Sequence, residues 1–190
     1  IVISILNELS ISKCNIVGWS MGSAVAMSIA KKNKSIVNKL VLITPFSWLG
    51  GAVYNDKLAF KIFVSFVRIR ERLFPNFNPK SKFSFLRKSN AINDEYTEWA
   101  WNNLHKSKDD FIYADGGRFV VPYDARPWIE EIEAETLVIT GGKDKLVPEE
   151  TSNDVVSRLK NVRVKTFPDA GHSVPWTHEN ELLNELKEFF

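Results

Sequence analysis

The chain has 190 residues, 44% hydrophobic and 25% charged, with a formal net charge of +2. That balance suits one globular domain with a sizeable core, and so small a charge gives no reason to expect nucleic acid or another polyanion as a partner. One cysteine, Cys14, excludes an internal disulfide framework. No apolar run reaches the length of a membrane span, and Ile1-Val2-Ile3 lacks the basic region and cleavage site of a secretory leader. The expectation is a cytoplasmic protein without stable membrane insertion.

Residues 1–10 read as an amphipathic helix, with Ile1, Val2, Ile5, Leu6 and Leu9 apolar at helical spacing and Asn7 and Glu8 facing out. The chain has no initial methionine and opens inside this pattern, so the expectation is a start in mid-fold. Cys14 to Gly18 is an apolar run suited to a short buried strand, with Cys14 as an inert core residue. A helix follows over 20–33, small and helix-forming, with Lys31, Lys32 and Lys34 at the end where they complement its dipole. Residues 39–43 are a buried strand ended by Thr44-Pro45.

The stretch 45–135 breaks the rhythm. It holds an apolar helix over 58–74, stopped by Pro75 and Pro79, and a second helix over 93–105 with Tyr96, Trp99 and Trp101. Gly116-Gly117, Pro122 and Pro127 mark loops, and Glu130, Glu131, Glu133 and Glu135 form a solvated approach to the next strand. Strand 136–140 ends at Gly141-Gly142, helix 148–159 has Pro148 near its first turn, strand 162–167 follows, and helix 179–190 closes the chain. Strands separated by helices predict an α/β fold, a mostly parallel sheet covered on both faces. The chain divides into 1–44, an insertion at 45–135, and 136–190.

Gly18-Trp19-Ser20-Met21-Gly22 lies between a strand and a helix. Such a pattern can put a serine on a sharp turn with its hydroxyl exposed. A serine hydroxyl is a poor nucleophile at neutral pH and needs a base, which in turn needs a group that fixes its tautomer. Asp144 and His172 each follow a strand, and in a parallel sheet those loops share the carboxyl edge with Ser20. Asp115 and Asp124 are weaker rivals for the acid, and Asp169 reads as a turn residue. Trp19 borders a substrate pocket or packs against the sheet. His105 and His178 read as solvated or packing residues, and the three histidines have no zinc-site spacing.

Three signatures together resemble the α/β-hydrolase fold family: Gly18 to Gly22, Leu137 to Pro148, and Ala170-Gly171-His172. The resemblance implies Ser20 as nucleophile, Asp144 as acid, His172 as base, and the insertion 45–135 as a helical cap over the site. It also implies an N-terminally truncated fold, because strands and a His-Gly type loop precede the nucleophile in that family. The Met21 backbone N–H is then one of two oxyanion donors, and the 190 residues alone are expected to be inactive. No metal or organic cofactor is required.

The implied function is a serine hydrolase acting on a carboxylic ester or related acyl bond. An acyltransferase, a carbon–carbon bond hydrolase or lyase, and a non-enzymatic ligand receptor that keeps the triad share the fold. A serine at position 20 argues against the dehalogenase and epoxide hydrolase branches, whose nucleophile is a carboxylate. The partner expected is a small-molecule acyl or ester substrate, apolar if helix 58–74 lines the pocket. That helix can instead form the core of the cap, the favoured reading, or lean on a membrane surface. Oligomeric state is open.

Overall fold

A computed structural model describes residues 1–48 and 122–190, together with Ser65, Ile69, Leu73, Trp99 and Val120. The middle of the expected insertion, with most of its two helices, His105 and Asp115, lies outside the described residues. Ser65, Ile69 and Leu73 are helical and exposed.

The elements run α1 (Val2–Glu8), β1 (Cys14–Trp19), α2 (Met21–Lys32), β2 (Val37–Ile43), a 3-10 turn (Ile129–Glu131), β3 (Glu135–Gly141), α3 (Glu149–Arg158), β4 (Val162–Phe167), α4 (Val174–Thr177) and α5 (Glu179–Phe189). The four strands form one sheet in the order β1-β2-β3-β4. All three pairings are parallel, with Trp19 opposite Ile43 and Ile43 opposite Ile139. Every strand therefore ends on the same edge, and the loops that follow β1, β3 and β4 gather there.

Alternation along the strands builds a core on each face. Leu40, Leu42 and Val138 pack with Ala24, Met27 and Ala30 of α2 and Val155 of α3. Val41, Ile43, Leu137 and Ile139 pack with Val174 of α4 and Leu182 and Phe189 of α5. Each Val, Leu, Ile, Met or Phe among them contributes about 1.5–3 kcal/mol on burial, so the central strands β2 and β3 anchor the site. Among the described residues, no helix is long and apolar enough to cross a membrane.

The amino-terminal elements differ from expectation. Among the described residues β1 is an edge strand that pairs only with β2. Only Gly18 of its six residues is buried, Val17 is 48% exposed, and Cys14 is half-buried rather than a core residue. No residue of α1 is buried, and Ile5 and Leu9 face solvent although their pattern is that of a packed helix. The reason is positional: these residues carry core-type sequence but lie where no described element covers them.

The described residues at the two ends of the stretch 45–135 join the core. Phe46 and Tyr123 are buried and meet edge to face at 5.7 Å, and the Tyr123 hydroxyl donates to the Ala24 carbonyl at 3.2 Å. Burial pushes the Tyr123 hydroxyl well above its ordinary range. An isolated antiparallel bridge joins Trp48 to Asp124. The acidic approach to β3 is also more than solvated: Glu130 faces Arg158, Glu131 faces Lys31, Glu133 faces Lys34 and Glu135 faces Lys39. Lys31 in the last turn of α2 and Lys34 just after it are thus engaged in ion pairs.

Asp124, a weaker candidate acid, is engaged elsewhere. Both its oxygens accept from the Arg126 guanidinium, at 2.8 and 2.6 Å, and that guanidinium lies over the Trp48 ring at 4.5 Å. The side-chain hydrogen bond from Arg126 holds the Asp124 carboxyl below its usual value. A lowered carboxylate stabilises the fold at neutral pH, and the contribution disappears as pH falls through the lowered value, below about 4. The pair is partly exposed and screened, so Asp124→Asn is expected to cost about 0.5 kcal/mol at pH 7. Urea denaturation of both proteins should show the gap closing towards pH 3.

Candidate active site

Ser20 sits between β1 and α2 with φ 55° and ψ −119°, a conformation that L residues rarely hold. The surroundings enforce it. The Ser20 N–H donates to the Ile43 carbonyl at 2.9 Å, which ties the turn to β2. The Ser20 carbonyl accepts from the Ser23 N–H at 2.9 Å and from the Ser23 hydroxyl at 2.5 Å, so the first turn of α2 grips it from the other side. The turn is tight enough to need Gly18: a Cβ there would lie 2.4 Å from the Gly22 carbonyl oxygen. A Cβ at Gly22 would meet no described atom within 4 Å.

Asp144 lies in the loop after β3. Its Oδ1 accepts the Leu146 and Val147 N–H groups at 2.8 and 3.0 Å, so it serves the turn before α3. Its Oδ2 is left to face Nδ1 of His172 at 2.8 Å. The loops after β3 and β4 are laced together: Gly142 donates to the Phe167 carbonyl and Lys143 to the Ala170 carbonyl, both at 2.9 Å. A Cβ on Gly141 would fall 2.3 Å from the Gly171 carbonyl oxygen. The diglycine therefore permits the contact that sets Asp144 beside His172.

His172 Nε2 faces Ser20 Oγ at 2.8 Å. A carboxylate only accepts, so Nδ1 carries the proton and Nε2 presents its lone pair to the serine hydroxyl. The His172 and Asp144 side chains are 3% and 8% exposed, whereas Ser20 is only half-buried. Two shielded side chains, His172 and Asp144, therefore stand behind a half-buried Ser20. Ser20 also precedes the first turn of α2, where N–H groups lack intrahelical partners and the dipole favours negative charge. The Met21 N–H belongs to that turn.

A family model described as alpha/beta hydrolase fold matches residues 2–179. The chain belongs to the α/β-hydrolase family. A 2-hydroxy-6-oxo-6-phenylhexa-2,4-dienoate hydrolase of Burkholderia cepacia is 27% identical over 184 residues, covering 91% of this chain and 61% of the relative. The chain thus spans about three-fifths of the length of that relative. Among solved structures, an esterase from Exiguobacterium antarcticum superposes with a TM-score of 0.78 at 18% identity, covering 99% of this chain and 70% of the other. The enol-lactonase from Burkholderia xenovorans LB400 gives 0.72 at 17% identity, covering 99% and 69%. At those identities the structures speak for the fold.

In this α/β hydrolase the structure brings Ser20, Asp144 and His172 together and leaves Asp124 and Asp169 elsewhere. Asp169 pairs with His178 at 3.2 Å, and that hydrogen bond holds its carboxyl below the usual value. His178 packs on Phe167, with centroids 5.2 Å apart. Trp19 does not simply flank the serine. Its Nε1–H donates to the His172 carbonyl at 3.0 Å, and its ring packs on Trp176 at 4.8 Å. The sequence reading missed Trp176 and its short helix α4. Pro175 at the start of that helix was the available signal.

Proposed function

We propose that this chain carries the acyl-transfer centre of a serine hydrolase. The observation that supports it is the chain of 2.8 Å contacts from Ser20 Oγ through His172 to Asp144, with Ser20 held at φ 55°. His172 takes the Ser20 proton as Oγ attacks an acyl carbon. Asp144 keeps the imidazole in the required tautomer and stabilises its charged form. The Met21 N–H faces the oxyanion as one donor. The imidazolium then protonates the leaving group, and water, deprotonated by His172, releases the acyl group from Ser20.

The substrate proposed is a small acyl compound, either a carboxylic ester or a 6-oxo-dienoate. The relatives favour the second, because several are named as 2-hydroxy-6-oxo-dienoate hydrolases. Such a molecule has a ketone and no ester, so hydrolysis adds hydroxyl to the acyl carbon and hydrogen to the neighbouring carbon as the bond between them breaks. The cap over 45–135 belongs to the same proposal, as the part that selects the acyl group.

The test is covalent labelling with a fluorophosphonate followed by peptide mass mapping. The folded chain is expected to carry the label on the Ser20 peptide, and heat-unfolded chain to carry none. Label spread over several serines, or absent from Ser20, would sink the reading. Competition of a p-nitrophenyl ester and of a 2-hydroxy-6-oxo-dienoate against fluorophosphonate labelling of Ser20, which needs no turnover, decides between the two substrates.

A further inference from the structure

We propose that Trp19 is a positioning residue for His172 rather than a wall of the substrate pocket. This rests on the acyl-transfer reading above. Trp19 immediately precedes Ser20, so one backbone segment carries both. Its indole N–H donates to the backbone carbonyl of His172, 153 positions away, at 3.0 Å. The strand end that presents the nucleophile thus also holds the loop that presents the base.

The ring adds a second hold. Its centroid lies 5.6 Å from that of His172, with the planes tilted by 38°. Trp176 packs against the indole at 4.8 Å. Trp176 in turn is tied to the base loop, because its N–H donates to the Ser173 carbonyl at 2.9 Å and the Thr177 N–H does so at 3.1 Å. Trp99 stacks on Trp176 at 5.6 Å and is 48% exposed, so the aromatic row runs outward from His172 to the surface.

Asp144 orients the imidazole about Nδ1 but places no restraint on the distance between the two loops. A base must stay within about 0.5 Å of its productive position to act. The Trp19 hydrogen bond restrains this distance apart from the Ser20–His172 contact itself, because its two ends lie on the chain segments that carry Ser20 and His172. With its N–H directed at the protein backbone, the indole presents no polar edge to a ligand through that group.

The experiment uses the full 190-residue chain and a fluorophosphonate, measuring the maximal labelling rate, the half-saturating concentration and the labelled fraction separately. Trp19→Phe keeps a ring and deletes the donor. The maximal rate is expected to fall about tenfold, the rate equivalent of one ordinary hydrogen bond, with half-saturation and labelled fraction unchanged. Trp128→Phe is the control: it deletes a comparable indole donor outside the site, from Trp128 Nε1 to the Asp124 carbonyl at 3.1 Å, and should stay within about twofold of wild type. A merely structural role would lower the labelled fraction and spare the rate. A pocket wall would raise the half-saturating concentration. Either pattern overturns the proposal.

If Trp19→Phe does not fold, the wild-type protein still decides. Hydrogen exchange at the assigned Trp19 indole N–H should be as slow as at buried amides of β2, and exchange like that of a solvent-facing indole overturns the proposal. An unlabelled wild-type chain defeats the acyl-transfer reading alone. Trp19 is then judged by the imidazole nitrogen spectrum of His172. An Nε2 resonance displaced by its hydrogen bond to Ser20 Oγ, which moves towards the position of an unbonded imidazole nitrogen in Trp19→Phe, supports the positioning role, and an unchanged spectrum overturns it.

Discussion

Asp144→Asn is expected to slow phosphonylation of Ser20 by about 10,000-fold while leaving the fold intact. The two oxygens of Asp144 have separate duties. Oδ1 holds the Leu146 and Val147 N–H groups, and Oδ2 receives the His172 Nδ1 proton. Asparagine keeps the first duty with its carbonyl and inverts the second with its amide NH2. Nδ1 must then accept, so Nε2 carries the proton and points a donor at Ser20 Oγ. The base is lost although every atom remains within reach. In serine proteases the same exchange of aspartate for asparagine costs about four orders of magnitude through the wrong tautomer. Thermal unfolding should be near that of wild type, because the loop hydrogen bonds survive. A labelling rate within tenfold of wild type would mean that Asp144 does not orient the base.

Gly18→Ala is expected to destabilise the protein by about 3 kcal/mol or more, at the upper end of overpacking effects. The new methyl would sit 2.4 Å from the Gly22 oxygen, 2.7 Å from its carbon and 2.8 Å from the Ser23 Cα. All three are backbone atoms of α2, so no side chain can swing away. For a domain of this size the melting temperature should fall by roughly 6–12 °C. Labelling of Ser20 should drop further, because the turn that strains it must open. Gly22→Ala is the control. It meets no described atom and lies in a helix, where alanine is favoured over glycine by up to about 1 kcal/mol. Calorimetry of both variants checks the asymmetry, and equal melting temperatures would contradict it.

Much of this was legible in the chain itself because the signals are local. The run Val17-Gly18-Trp19-Ser20-Met21-Gly22 announces strand, turn and helix within a few residues, and β1 and α2 fall within one or two residues of the boundaries expected. The strands ending at Ile43, Gly141 and Phe167 were equally clear, since an apolar run stopped by Pro or Gly needs no distant partner to be recognised. Once the strands were parallel, Ser20, Asp144 and His172 had to share an edge. Cys14, Ile5 and Leu9 misled the reading for the complementary reason. Apolar spacing records what a residue is built to bury against, and burial also requires the covering element.

By itself the sequence determined the alternation of strands and helices, the parallel sheet and the three side chains that meet at its carboxyl edge. Pattern and order suffice for that, because strand direction dictates where loops fall. Only the tertiary structure decided that Asp144 serves both its own turn and His172, that Asp124 is taken by Arg126, and that Trp19 reaches the His172 carbonyl. Each of these depends on which of several capable groups arrives within about 3 Å. For the Asp144–His172 and Trp19–His172 contacts that is a matter of loop packing between β3 and β4 and across the end of β1, which no spacing in the chain encodes. Asp124 and Arg126, by contrast, are near neighbours whose pairing the local conformation decides.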